Sequence, residues 1–373
     1  MYIADQLGYV DYKLIATDGT KIKANACAKF TGTITDFERR SKRLEENIIL
    51  AIEKQKSTDK REEKEYWAKK QDRYQKNKTK IDVFLQKVKP VYSKKGKEIK
   101  QNITDSDCRI MRTSGTYTES YNANTSVCAK NSIIIGADVT SIGDDKHMFK
   151  RMVEEVKENV PNKKDISCAK HLNDAGYYSV DNIVWADQKN IDVYIPDCKD
   201  KKNYIDTEER SKGQLISQAK CTFVKRGNEV DVYCKKGNVL LKKVGIRNIR
   251  GDDYIVFRPK SHDCEVCKYY KECTGKLKER NKTFTINKNV YENCELIKKY
   301  FQKLTSDEGR IIYSNRMPTI EKIFGHLKKN TRFRSFNVIG MEKVKTIWKT
   351  VCTSYNLKRI FNLEKEKTAY AAT

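Results

Sequence analysis

No apolar run in this chain approaches the roughly 20 residues that a bilayer span needs; the longest, such as SIIIGADV at 132–139, ends well short of that. A basic-then-apolar leader is also missing from the N-terminus, so no membrane partner is expected. Proline is scarce, at 5 in 373 residues, and neither a Pro- or Ser-rich linker nor an internal repeat occurs, which argues against domains on a flexible string and against a solenoid. Acidic charge is in deficit. Against 50 Asp plus Glu stand 76 Lys plus Arg, a formal charge of +26, which is the footprint of a protein with a polyanionic partner, nucleic acid before a membrane surface.

Cysteine is not scarce: there are 12. Most are spread singly through a large chain, a pattern that fits reduced thiols in a cytoplasm better than a disulfide scaffold. The length exceeds the roughly 250–300 residues at which single cores stop growing, so a core with insertions is expected.

Read along the chain, residues 10–26 form a strand pair or bent strand carrying Asp18. From 36 to 88 Lys and Glu dominate, with Phe37, Leu44 and Ala51, then Trp67, Tyr74, Ile81 and Val88, repeating every seven residues. This spacing predicts an antiparallel helical hairpin, with Asp59 and Glu62 capping its second helix. Its functional reading is a DNA-clamping or dimerising arm, its bland one a solvated insertion. Strand chemistry returns at 105–142, where IIIGADVT reads as a strand buried on both faces. A helix at 146–160, a strand ending in Asp174, a helix near 180 and a strand at IDVYIPD complete an α/β pattern. Short β patterns then run from 199 to 290, and helices close the chain. The expected division is 1–35 first core strands, 36–90 helical hairpin, 91–198 core, 199–290 β-rich insertion with a Cys cluster, and 291–373 C-terminal core helices.

Three acids form the chemical centre of this reading: Asp18 and Asp174 at strand ends and Glu321 within a C-terminal helix. Carboxylates gathered in this way hold two divalent ions, Mg2+ or Mn2+, that activate an attacking oxygen and stabilise the leaving oxygen of a phosphodiester. Asp138 in GADVT, which also ends a strong strand, competes with Asp174. Gly176 favours Asp174 by supplying a turn. Around Glu321, helical spacing sets Tyr313, Arg316 and Lys328 as companions that grip DNA phosphates. Lys328, Lys329, Arg332 and Arg334 in KKNTRFRSF extend a DNA track. His147 and His326 have no catalytic part, because two-metal phosphoryl transfer needs no histidine. Cys264, Cys267 and Cys273 in CEVCKYYKEC, with Cys234 upstream, have the spacing of a four-thiolate structural Zn2+ site; an iron–sulfur cluster and plain reduced thiols are the alternatives, and His262 is a spare ligand.

The ordered set DGTKIKANA, YNANTSV with IIIGADVT, DAGYYS, the cysteine cluster, RMPTIEKIFGHLKK and FRSFNVIGMEKVKTIWKTVCTSYNLKRI resembles bacterial DDE-type insertion-sequence transposases over nearly the whole chain. The resemblance implies a ribonuclease-H-like mixed sheet with helices, interrupted by the helical hairpin and by a small β, zinc-ribbon-like insertion. It implies that Asp18, Asp174 and Glu321 are the catalytic acids, and that Tyr313, Arg316 and Lys328 match the Tyr, Arg and Lys that surround the last of them. The implied activity is metal-dependent DNA strand cleavage and strand transfer, on transposon-end and target DNA, by a homodimer in the bacterial cytoplasm at the nucleoid. Arg316 stands five residues before Glu321 where some relatives have four, and Cys128 replaces an Asp of many relatives. Only 17 residues precede Asp18, where relatives carry a helical region. The expectation is therefore a shortened copy, with a catalytically silent DNA-binding or transposition-inhibiting relative as the second reading.

Overall fold

The structure is a computed structural model that describes residues 1–93, 96–113, 115–197, 221–226, 229–234, 237–249, 251–269 and 283–371. Helix α1 (Tyr2–Gln6) leads into β1 (Leu14–Lys23), followed by β2 (Thr31–Gly32), α2 (Ile34–Ser57), α3 (Arg61–Lys87) and β3 (Gln101–Asn102). Then come β4 (Arg109–Thr113), β5 (Thr116–Cys128), β6 (Ile133–Thr140), α4 (Phe149–Asn159), β7 (Lys170–Asn173), α5 (Val180–Gln188) and β8 (Asp192–Tyr194). The second half holds β9 (Cys221–Arg226), β10 (Glu229–Cys234), β11 (Leu240–Ile249), β12 (Asp252–Pro259), α6 (Ser261–Glu265) and β13 (Phe284–Asn287). It ends in α7 (Lys288–Glu292), α8 (Cys294–Thr305), α9 (Asp307–Ser314), α10 (Arg316–Gly325), a π-helical turn (His326–Asn330) and α11 (Met341–Ala371). Among the described residues no helix is long and apolar enough to cross a membrane.

The fold is mixed α/β. β1 is one continuous strand where a pair or a bent strand was expected, because β5 pairs with it without a break from Ile15 opposite Cys128 to Lys23 opposite Ser120. In the first sheet β5 lies between β1 on one edge and β4 and β6 on the other, and β7 and β8 extend it in parallel beyond β1. Apolar residues cover both faces. Ile15, Ile133 and Ile135 pack with Val10 and α1 in one cluster, while Ala16, Ile134 and Val139 join the larger cluster of α4, α5, α10 and α11. The unbroken IIIGADV run therefore has a packing cause on each side. Gly136 lets α4 approach closely, since a Cβ there would lie 3.1 Å from Val156.

The seven-residue stripe does form a helical hairpin. Thr33 and Asp36 make a reciprocal capping box at the start of α2. At α3 the cap differs from expectation: Lys60 occupies it without a side-chain bond, and the hydroxyl of Thr58 donates to Glu63 instead of leaving Asp59 to cap. Phe37, Ile81 and Phe84 are buried at the base, with the two rings edge-on at 5.3 Å. β9–β13 form a second, antiparallel sheet in sequential order, with a core of Val232, Leu241, Ile255, Phe257 and Ile286.

Candidate active site

The register of β7 against β1 decides which carboxylates meet. The strands run parallel with Thr17 opposite Asn173, so the next residues, Asp18 and Asp174, lie where that pairing stops; Asp174 follows the end of β7, whereas Asp18 is not at a strand end as expected but in the middle of β1, still paired with Thr125 of β5. Asp174 caps the short turn Ala175–Tyr177 by accepting from the Gly176 N–H. Gly176 serves space rather than a left-handed backbone: a Cβ there would lie 2.8 Å from Asp174 Oδ1.

Both oxygens of Asp18 are engaged. Oδ1 accepts from Gly19 N–H at 2.7 Å and Oδ2 from Arg316 Nη2 at 2.7 Å. Burial pushes the Asp18 carboxyl up to about 6; the Arg316 guanidinium opposes that rise, and the negative charges of Asp174 and Asp145 add to it. Arg316 opens α10 and is buried, and among the described residues its Nε has no partner. Tyr313 on α9 lies in the same field: burial lifts its hydroxyl to about 12, with Arg316 opposing and Asp174 and Asp18 reinforcing.

The pKa of Asp18 has a consequence for stability. The folded chain keeps this proton up to about pH 6, whereas the unfolded chain releases it near 3.8, so stability falls as pH rises through that window. Asp18→Asn is expected to remove a decline of about 3 kcal/mol. Urea midpoints of both proteins from pH 4 to 8 should diverge as pH rises, with the variant more stable at pH 7; parallel curves would contradict this.

Side chains that sequence reasoning passed over complete the surroundings. Asp145, in the turn before α4, accepts from Lys21 Nζ at 2.9 Å and from Asn122 Nδ2 at 2.6 Å. Asn124 Oδ1 accepts from the buried Tyr177 hydroxyl at 2.6 Å. Asn122 and Asn124 alternate on β5 opposite Lys21 and Gly19, and the only signal in the sequence was two amides at period two in YNANTSV.

Glu321 is placed differently from the other two acids. α10 turns Arg316, Thr319, Ile320 and Ile323 inward, and Glu321 stands about 140° around the helix from Arg316 and is exposed. The structure thus brings Asp18, Asp174, Tyr313 and Arg316 together and leaves Glu321 facing solvent. Asp138, the competing acid, is buried on β6 and paired with Arg151. Among the described residues no group of three or more His, Cys, Asp or Glu is arranged to hold a metal ion.

Lys328 is half-buried, and burial lowers its pKa; Lys329, Arg332 and Arg334 are exposed. Their segment is anchored to the far end of β1, where Lys23 N–H donates to Arg334 O and Phe336 N–H to Lys23 O at 2.9 Å. His326 packs edge-on against Tyr355. Of the cysteine group, Cys234 ends β10, and Cys267 Sγ lies 2.7 Å from where a Cβ on Gly237 would sit, over the turn that follows Cys234. Cys264 joins Cys267 through a backbone turn at 3.1 Å, and Cys273 lies outside the described residues.

Comparison with known proteins bears on this arrangement. Searches of curated proteins and of solved structures find no match. Residues 233–361, about a third of the chain, match the family model described as transposase DDE domain. That segment holds Tyr313, Arg316, Glu321 and the basic stretch, while Asp18 and Asp174 precede it. That third of the chain is therefore similar to the transposase DDE domain.

Proposed function

We propose that Asp18 and Asp174 are the metal-holding acids of a DNA strand-cleavage and strand-transfer reaction. The observation that carries the reading is their adjacent register, each one residue past the last paired position of the parallel neighbours β1 and β7. The donor chemistry fits: two hard carboxylates lie side by side, and the proton affinity of Asp18 is raised by burial and by Asp174, so a cation there relieves a real electrostatic penalty. Bound Mg2+ or Mn2+ supplies Lewis-acid activation of the attacking and leaving phosphodiester oxygens. The chain's own residues orient the centre. Arg316 fixes one oxygen of Asp18 and, with Tyr313, borders the place a phosphate enters. Lys328, Lys329, Arg332 and Arg334 are proposed to carry the flanking DNA, and the protein to act on it as a homodimer.

Glu321 is proposed as the third acid on the strength of the family match that covers it; because it lies outside the Asp18–Asp174 pair in this structure, its variant is the sharpest check. Glu321→Gln is expected to lower Mn2+-dependent nicking of transposon-end DNA about a hundred-fold or more, with DNA affinity unchanged. Nicking equal to wild type would remove Glu321 from the centre.

The order β6-β5-β1-β7-β8, with β5 antiparallel to its neighbours and β7 and β8 parallel to β1, supports a ribonuclease-H-like core. On this reading α2 and α3 are an insertion at 36–90 between β1 and β5, the β9–β13 sheet is a second insertion within 199–290, and residues 1–35, 91–198 and 291–373 build the core. Zn2+ at Cys234, Cys264, Cys267 and Cys273 belongs to the same proposal; metal analysis of purified protein without zinc would remove it.

A further inference from the structure

We propose that Asp145 is a positioning residue of the acid pair, wedged between strand β1, which carries Asp18, and the turn that Asp174 caps so as to fix their separation for a divalent ion. This inference rests on the reading of Asp18 and Asp174 given above.

The geometry has three parts. Asp145 is bound to two strands at once, through Lys21 of β1 at 2.9 Å and Asn122 of β5 at 2.6 Å. Its two oxygens also occupy the space left by two glycines. A Cβ on Gly19, the neighbour of Asp18, would meet Asp145 Oδ1 at 2.8 Å, and a Cβ on Gly176, two residues after Asp174, would meet Asp145 Oδ2 at 3.3 Å. Finally, the two turns are tied by Asn182, which is buried and whose amide donates to Lys146 O and to Tyr177 O, each at 2.9 Å. One carboxylate therefore touches β1, β5 and the turn after β7, the three segments that set where Asp18 and Asp174 point.

A second, independent observation points outward from this wedge. Asn122 is fully buried, and among the described residues its Oδ1 accepts no hydrogen bond. That oxygen lies 2.9 Å from the same point above Gly19 that Asp145 Oδ1 approaches to 2.8 Å. A buried acceptor left open in this position costs stability unless a donor from outside the chain reaches it, as the hydration shell of a bound cation does. Partners of this kind, which orient metal ligands without being ligands, change metal affinity about 10–100-fold.

The test is Mn2+ binding to the full chain without DNA, read as free Mn2+ by electron paramagnetic resonance, for wild type, Asp145→Asn, Asp145→Glu, Lys21→Met and Asp18→Asn. DNA affinity in EDTA serves as the fold control. Asp145→Asn is expected to weaken Mn2+ binding about ten-fold or more with DNA affinity unchanged, and Lys21→Met to shift it in the same direction. Asp145→Glu should not rescue, because the two glycine gaps leave no room for a further methylene; full rescue would show that charge, not placement, matters and would overturn the positioning role. If Asp145→Asn fails to fold, Lys21→Met decides, and wild-type binding in that variant overturns the inference. Wild-type affinity in Asp145→Asn, with binding lost in Asp18→Asn, leaves the acid pair standing and removes Asp145 alone. No Mn2+ bound by wild type itself removes the acid pair and this inference with it.

Discussion

Asp18→Asn is expected to reduce Mg2+- or Mn2+-dependent cleavage of transposon-end DNA at least about a thousand-fold while the protein stays folded and still binds DNA. The change keeps the shape of the side chain and an acceptor for Arg316 Nη2, now 2.7 Å from Asp18 Oδ2, and gives up the acceptor for Gly19 N–H at Oδ1, a local loss that leaves the surrounding fold in place. What it removes is the negative charge. In the free protein that charge is held at a cost, since burial raises the carboxyl to about 6; a site that keeps an expensive charge for chemistry gains stability when the charge is deleted. Loss of cleavage together with a gain in stability is thus the signature of this residue. Asp174→Asn should lose cleavage to a similar extent, and residual activity above about a tenth of wild type in either variant, in a nicking assay on supercoiled substrate, would contradict the assignment.

The largest expected effect on stability lies behind the site. Trp348 on α11 is fully buried, tilted against Phe333 at 6.0 Å, and donates its indole N–H to the Asn124 carbonyl at 3.0 Å. Trp348→Ala should cost about 4–5 kcal/mol, from the cavity and from the carbonyl left unpaired. Trp348→Phe, which refills most of the space, should cost about 1–2 kcal/mol, mainly from the lost hydrogen bond. Equilibrium urea unfolding measures both, and a cost below about 1 kcal/mol for the alanine variant would show that α11 is not the support it is taken to be here. Asn124 also receives the Tyr177 hydroxyl, so loosening α11 should reach the turn that follows Asp174.

Much of this was readable from the residues. The hairpin followed from a seven-residue stripe whose members Phe37, Ala51 and Ile81 are buried, and β6 from an apolar run with packing on both faces. β12 lies within the 199–290 stretch of short β patterns. The reading of both acids at strand ends holds for Asp174, just after β7, and not for Asp18, which lies within β1; their proximity comes from parallel pairing of strands roughly 150 residues apart, which local periodicity does not encode. Asp145 escaped notice because an Asp just before a helix reads as an ordinary cap, although the cap here is Asp144, whose carboxylate accepts from Lys146 N–H. Glu321 shows the converse. Its motif marks a function, but the inward face of α10 is set by Arg316, Ile320 and Ile323, and a helix has only one side to turn toward its core.

Crystals grown with Mn2+ and measured near the manganese absorption edge give the most direct check. Anomalous density bridging residues 18 and 174, and vanishing in Asp18→Asn, is the predicted outcome. Density that lies elsewhere, or that survives that substitution at full strength, would contradict the account.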